Sequence, residues 1–82
     1  MKFSKKKVAI VTGGGSGIGR STALAFARAG VKVLVADTDQ EEGNNTVSLI
    51  RAEEGESRFV SVDVSQNDDV ESMVETAISS WG

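Results

Sequence analysis

The 82-residue sequence contains no cysteine, no histidine and no tyrosine. The missing cysteine excludes a disulfide framework, and with histidine also absent no thiolate or imidazole metal site can form. Long apolar runs are lacking as well. None approaches the length a membrane span requires, and Met1-Lys2-Phe3-Ser4 leads straight into charge instead of a signal-peptide core. These absences lead to the expectation of a cytoplasmic protein with no membrane partner. Size sets a further bound. A chain this short buries roughly 60–65% of its unfolded surface, enough for one small domain that is marginal without help.

Acidic residues are also missing from one half of the chain. Residues 1–36 carry seven basic side chains and no acid, while residues 37–82 carry Arg51, Arg58 and all twelve acids. A split of this kind can mark a nucleic-acid arm. The dense part of the basic half is only Lys5-Lys6-Lys7, with no aromatic neighbour beyond Phe3. It reads as a solvated lead-in to the first strand, and no nucleic-acid partner is expected. In an alternating fold the two halves interleave in space.

What is present begins with Thr12-Gly13-Gly14-Gly15-Ser16-Gly17-Ile18-Gly19. The apolar run Val8-Ala9-Ile10-Val11 before it reads as a buried parallel strand, and a helical pattern opens near Gly17. A strand that passes through a glycine-rich turn into a helix N-terminus makes a phosphate site. The first backbone N–H groups of the helix lack intrahelical partners, and the helix dipole favours an anion there. Gly13 is expected to make the tight turn out of the strand. Gly17 lets the backbone approach a pyrophosphate, and Gly19 lets the helix pack closely. The run fits G-x-G-x-x-G in no register.

The pattern along the chain alternates. Strands are predicted over residues 7–12, 31–37 and 58–62. Helices are predicted over residues 17–29, from the loop after Asp37 to about residue 54, and after Ser65 to the end of the chain. Gly30 and Gly55 are expected as helix stops. Thr38 with Glu41 and Asp39 with Glu42 form two overlapping capping boxes. The second helix contains the poor helix formers Gly43, Asn44, Asn45 and Thr46. The last carries Val70, Met73, Val74, Ala77, Ile78 and Trp81 at spacings of three and four, one apolar face. The result is an α/β chain, a β-α-β-α-β-α unit forming the first half of a doubly wound parallel sheet with strand order 3-2-1.

Two acids stand at strand ends. Asp37 lies eighteen residues after Gly19, where a carboxylate can accept from both adenosine ribose hydroxyls; its competing role is that of a loop aspartate capping the next helix. Asp63-Val64 closes the third strand, and there the competing role of Asp63 is to organise the turn into the Ser65 cap. For Ile18 the alternative is core packing in the first helical turn. Arg20 reads as a surface side chain in preference to a phosphate clamp.

The run T-G-x-x-x-G-I-G, with the strand before it, the helix after it and acids ending the second and third strands, resembles the short-chain dehydrogenase/reductase family. The resemblance implies a Rossmann-type fold and a nicotinamide dinucleotide cofactor. It also implies cofactor contacts from Ser16 and from the backbone of Ile18, with Gly15 and Thr38 in the same set, and places Asp63 and Val64 at the adenine. Ser16 and Thr38 stand where phosphate-accepting relatives often place arginine or lysine, so NAD is expected over NADP. The parent enzyme would exchange a hydride between nicotinamide and an alcohol or carbonyl substrate, as an assembly of identical copies. The family's catalytic tyrosine and lysine, and its Asn-Asn-Ala-Gly segment, have no counterpart here. Catalysis needs a proton donor at the substrate oxygen. The chain is therefore expected to be the cofactor-binding front part of such an enzyme, one truncated domain over residues 1–82 and inactive alone. A stand-alone nucleotide-binding module and a non-binding scaffold remain alternatives.

Overall fold

In the order of the chain, β1 (Val8–Thr12), α1 (Gly17–Arg28), β2 (Lys32–Asp37), α2 (Gln40–Ala52) and β3 (Ser57–Ser61) follow one another in strict alternation. The computed structural model describes residues 7–63 and, of the third predicted helix, Glu71, Ser72, Glu75, Thr76 and Ser79, all helical. The Ser65 cap, Val64 and the apolar stripe from Val70 to Trp81 lie outside the described residues.

The three strands form one parallel sheet in the order β1-β2-β3. Val11 pairs with Val35 and Thr12 with Ala36, and Asp37 pairs with Ser61. This register brings the carboxyl ends of all three strands to the same edge, where the loops after them converge. Side chains alternate between faces along a strand. Val33 and Val35 therefore join Val11, Ala23, Val47 and Ile50 beneath α1 and α2, while Leu34 and Ala36 meet Val62 on the opposite face. All four of these β2 residues are fully buried. The nearly unbroken apolar run of the central strand is what a strand covered on both faces requires.

Both helices end in a Schellman arrangement, by different means. After α1, Gly30 at φ +88° donates to Ala27 O and Val31 donates to Phe26 O. After α2, the left-handed residue is Glu54, at φ +66°, and not Gly55. Glu54 donates to Arg51 O and Gly55 to Ile50 O. Gly55 is there for space, because a Cβ would lie 2.7 Å from Ile50 Cγ2. The third strand begins one residue earlier than its apolar pattern suggests. Ser57 is buried, and its hydroxyl donates to Val33 O at 2.8 Å, which satisfies the polar group inside the sheet.

Of the two capping boxes, the structure forms half of one. Asp39 is the N-cap of α2 and accepts from the Glu42 N–H at 3.0 Å. The return bond is absent because both groups are engaged elsewhere: the Asp39 N–H donates to Asp37 Oδ1, and the Glu42 carboxylate pairs with Arg20. Among the described residues no helix is long and apolar enough to cross a membrane.

Candidate functional site

The loop between β1 and α1 is built around backbone geometry. Gly13 sits at φ +65°, and its N–H donates to Ala36 O at 2.7 Å, which ties the start of the turn to the central strand. Gly17 sits at φ +55°, and a Cβ on either glycine would meet nothing within 4 Å. Conformation, not crowding, calls for glycine at both. Gly19 is the converse. A Cβ there would run into the carbonyl of Gly13, so the first turn of α1 seats directly on the loop.

Ser16 is the N-cap of α1, with extended backbone and no side-chain capping bond. Among the described residues no acceptor meets the N–H groups of Gly17, Ile18 or Gly19, and the first turn carries no acid. The result is an uncompensated positive helix end with its hydroxyl and amides available. Ile18 is 87% exposed, so it does not pack into the core at the first turn.

A cleft of about 300 Å³ opens at the carboxyl edge of the sheet. It is lined by Thr12 at the end of β1 with Gly13 after it, by Ala36 and Asp37 at the end of β2 with Thr38 after them, and by Val62 and Asp63 after β3. Gly13, Asp37, Thr38 and Asp63, singled out from sequence at the ends of three separate strands, thus line one cleft. Ser16, Gly17, Ile18 and Gly19 stand apart from it at the head of α1, and Val64 lies outside the described residues. Thr12, Ala36 and Val62 were missed as lining residues. Their signal was available: each immediately precedes a residue singled out at or just after a strand end.

Asp37 is held at both oxygens. Oδ1 accepts from the Asp39 N–H at 3.0 Å and Oδ2 from the Gly15 N–H at 2.9 Å. The Asp39 bond is the main reason its carboxyl is held below the usual carboxylate range. Partial burial opposes the shift, and bonds from Gly15 and from the Thr38 amide and hydroxyl add to it. The side chain also reaches the loop before α2, as the capping alternative required, but through the Asp39 backbone; the cap itself is Asp39. Gly15 is buried behind this carboxylate and does not line the cleft.

Arg20 is neither a free surface side chain nor aimed at the helix end. Its Nη2 donates to the Gly15 carbonyl, and to Glu42 O and Oε2 at 3.3 and 3.1 Å, while Nε donates to Thr46 Oγ1 at 3.0 Å. The guanidinium ties α1 to α2 across the glycine turn.

A glycine turn, an open helix N-terminus and an acid at the end of the second parallel strand are the features of a Rossmann-type α/β fold. Residues 7–82 match the model of the short chain dehydrogenase family, and the chain belongs to that family. A short chain dehydrogenase/reductase (astE) of Aspergillus oryzae is 46% identical over 99% of this chain and 32% of its own length. A cyclohexanol dehydrogenase of an Acinetobacter species is 41% identical over 99% of this chain and 32% of its own. Among solved structures, a short chain dehydrogenase/reductase from Burkholderia phymatum in complex with NAD is similar at a TM-score of 0.90. It shares 38% identity over 93% of this chain and 27% of that one. The chain thus spans about a third of the length of the curated relatives it matches.

Proposed function

We propose that this chain holds the adenosine and pyrophosphate half of NAD within an oxidoreductase that exchanges a hydride with an alcohol or carbonyl carbon. The observation that carries the reading is the cleft at the carboxyl edge, walled by Asp37, with Gly13 of the loop that leads into the open N-terminus of α1 in its lining. Its volume of about 300 Å³ lies at the lower bound of ligand pockets, fitting part of a dinucleotide. The residues present suit that group. The Asp37 carboxylate accepts from ribose hydroxyls, and the amides of Gly17, Ile18 and Gly19, with the Ser16 hydroxyl, donate to pyrophosphate oxygens. Thr38, Asp63 and Val64 belong to the adenosine side. Gly15 contributes from behind, through Asp37.

NAD, when bound, supplies or accepts the hydride, and the protein orients it. The similar Burkholderia structure carries NAD, which supports this cofactor for the present chain. The nicotinamide half, the substrate and the proton donor would be held by residues other than these, because no tyrosine occurs in the chain.

Calorimetric titration of the intact protein with NAD tests the reading. Saturable binding at one site per chain is expected, and Gly17→Val, which forces a β-branched side chain into the left-handed region, should abolish it in folded protein. Absence of saturable binding by the wild-type protein would leave the non-binding scaffold as the answer.

A further inference from the structure

Gly15 is gripped from both sides. Its N–H donates to Asp37 Oδ2 at 2.9 Å, while its carbonyl accepts from Arg20 Nη2 and from the Thr46 hydroxyl, the latter at 3.2 Å. Space is as restricted as the bonding. A Cβ on Gly15 would lie 2.7 Å from Asp37 Oδ2 and 2.9 Å from the Gly43 nitrogen. The residue is wedged between the strand-end carboxylate and the first turn of α2.

The two groups on the far side meet at this carbonyl. Thr46 is fully buried on α2. A hydroxyl has one proton to donate. With Arg20 Nε donating into the oxygen at 3.0 Å, that proton is left for Gly15 O, or for Glu42 O at 3.3 Å. Arg20 is fixed in turn by the Glu42 carboxylate. A rigid fork anchored at several acceptors sets the position of what it bonds, where a lysine would supply only a point charge.

The consequence falls on Asp37. An ionised carboxylate has about four lone-pair sites. Gly15 and Asp39 each occupy one, on different oxygens, and with the Thr38 amide and hydroxyl they hold the group at the wall of the cleft. Displacing Gly15 removes its N–H bond at Oδ2 and leaves the carboxylate held from the Thr38 and Asp39 side alone.

We propose that Arg20 and Thr46 are positioning residues that act through the Gly15 peptide to orient the Asp37 carboxylate, and thereby set the preference for NAD over NADP. The assignment rests on the reading of the cleft as the adenosine site. Two measurements on the intact protein separate it from that reading: amide hydrogen exchange at Gly15 without cofactor, and the ratio of NAD to NADP affinity. Thr46→Val keeps the shape and removes the hydroxyl; Thr46→Ser restores it; Arg20→Met removes the fork.

Thr46→Val and Arg20→Met should each speed Gly15 exchange and shrink the affinity ratio by about three- to tenfold, the range a single net hydrogen bond supports. Thr46→Ser should match the wild type in both. In an Asp37→Ala background the same substitutions should leave the ratio unchanged, there being no carboxylate to orient. If Thr46→Val does not fold, Arg20→Lys serves in its place, with the same shifts expected. Lowered thermal stability with exchange and ratio both unaltered would overturn the proposal, reducing the pair to a brace. Faster Gly15 exchange in a protein whose wild type binds no dinucleotide would overturn the cofactor reading and this role with it.

Discussion

The carboxylate of Asp37 faces the cleft, and in the proposed binding mode the added 2′-phosphate of NADP would come close to it. Two unit charges about 4 Å apart repel by roughly 4 kcal/mol at an effective dielectric near 20. Screening at a cleft mouth leaves about a third to a half of this. Titration should therefore show NAD bound about ten- to thirtyfold more tightly than NADP. Asp37→Ala should narrow the gap, and equal wild-type affinities would refute the assignment. The same residue carries a pH signature. Its partners, Asp39 first, hold the folded carboxyl below its ordinary range. Asp37 therefore adds stability above the unfolded carboxylate pKa near 4, and that contribution is lost as the pH falls through the lower folded value. Urea unfolding of wild type and Asp37→Asn from pH 6 to 3 should show the wild-type advantage shrinking on acidification; a constant difference would contradict it.

At the scale of elements, α2 explains why its sequence looks unpromising. The poor helix formers Gly43 and Thr46 share its buried face with Val47 and Ile50, at spacings of three and four. Gly43 leaves room for the Phe59 ring, which a Cβ would strike, and Thr46 spends its hydroxyl on Gly15 and Glu42. On propensity alone Gly43→Ala would add about 1 kcal/mol. Overpacking against Phe59 costs about 1–3 kcal/mol, so a net loss is expected in urea unfolding, smaller when Phe59→Leu accompanies it. A gain in stability from the single substitution would show that the ring moves aside freely. The end of α2 offers the opposite case. Glu54 occupies the left-handed position that glycine fills after α1, and Glu54→Gly should raise stability by about 0.5–1 kcal/mol. No change in the urea midpoint would mean that the turn relaxes around glutamate without strain.

At the scale of the molecule, three ion pairs among the described residues set the basic front of the chain against its acidic remainder: Arg20 with Glu42, Arg28 with Glu53 and Lys32 with Glu56. Arg28 and Glu53 meet at 2.8 and 2.9 Å, linking the ends of the two helices. Within the described sheet β1 pairs with β2 alone. An apolar strand with one open edge is a template for another chain. Sedimentation of the isolated 82 residues should accordingly show self-association or a poorly packed species, and a compact monomer at all concentrations with cooperative unfolding would rule this out. The same preparation should show no hydride transfer, since no tyrosine is present to serve as proton donor.

The alternation of strand and helix, the parallel sheet, the glycine turn and the strand-end acids were legible in the sequence because each is written in adjacent residues. An apolar run, a helical period, a glycine cluster before a helix and an acid after a strand are local patterns, and local patterns survive in one dimension. The tertiary structure decided what depends on residues far apart in the chain. Arg20 finds Thr46 across 26 positions, Gly15 finds Asp37 across 22, and Thr46 finds Gly15 across 31. It also decided that Ile18 faces solvent, that Glu54 and not Gly55 turns left-handed, and that Gly43 yields its space to Phe59. None of these follows from propensity or spacing. Each is set by which surface the fold presses against that residue, and that exists only once the strands and helices have packed.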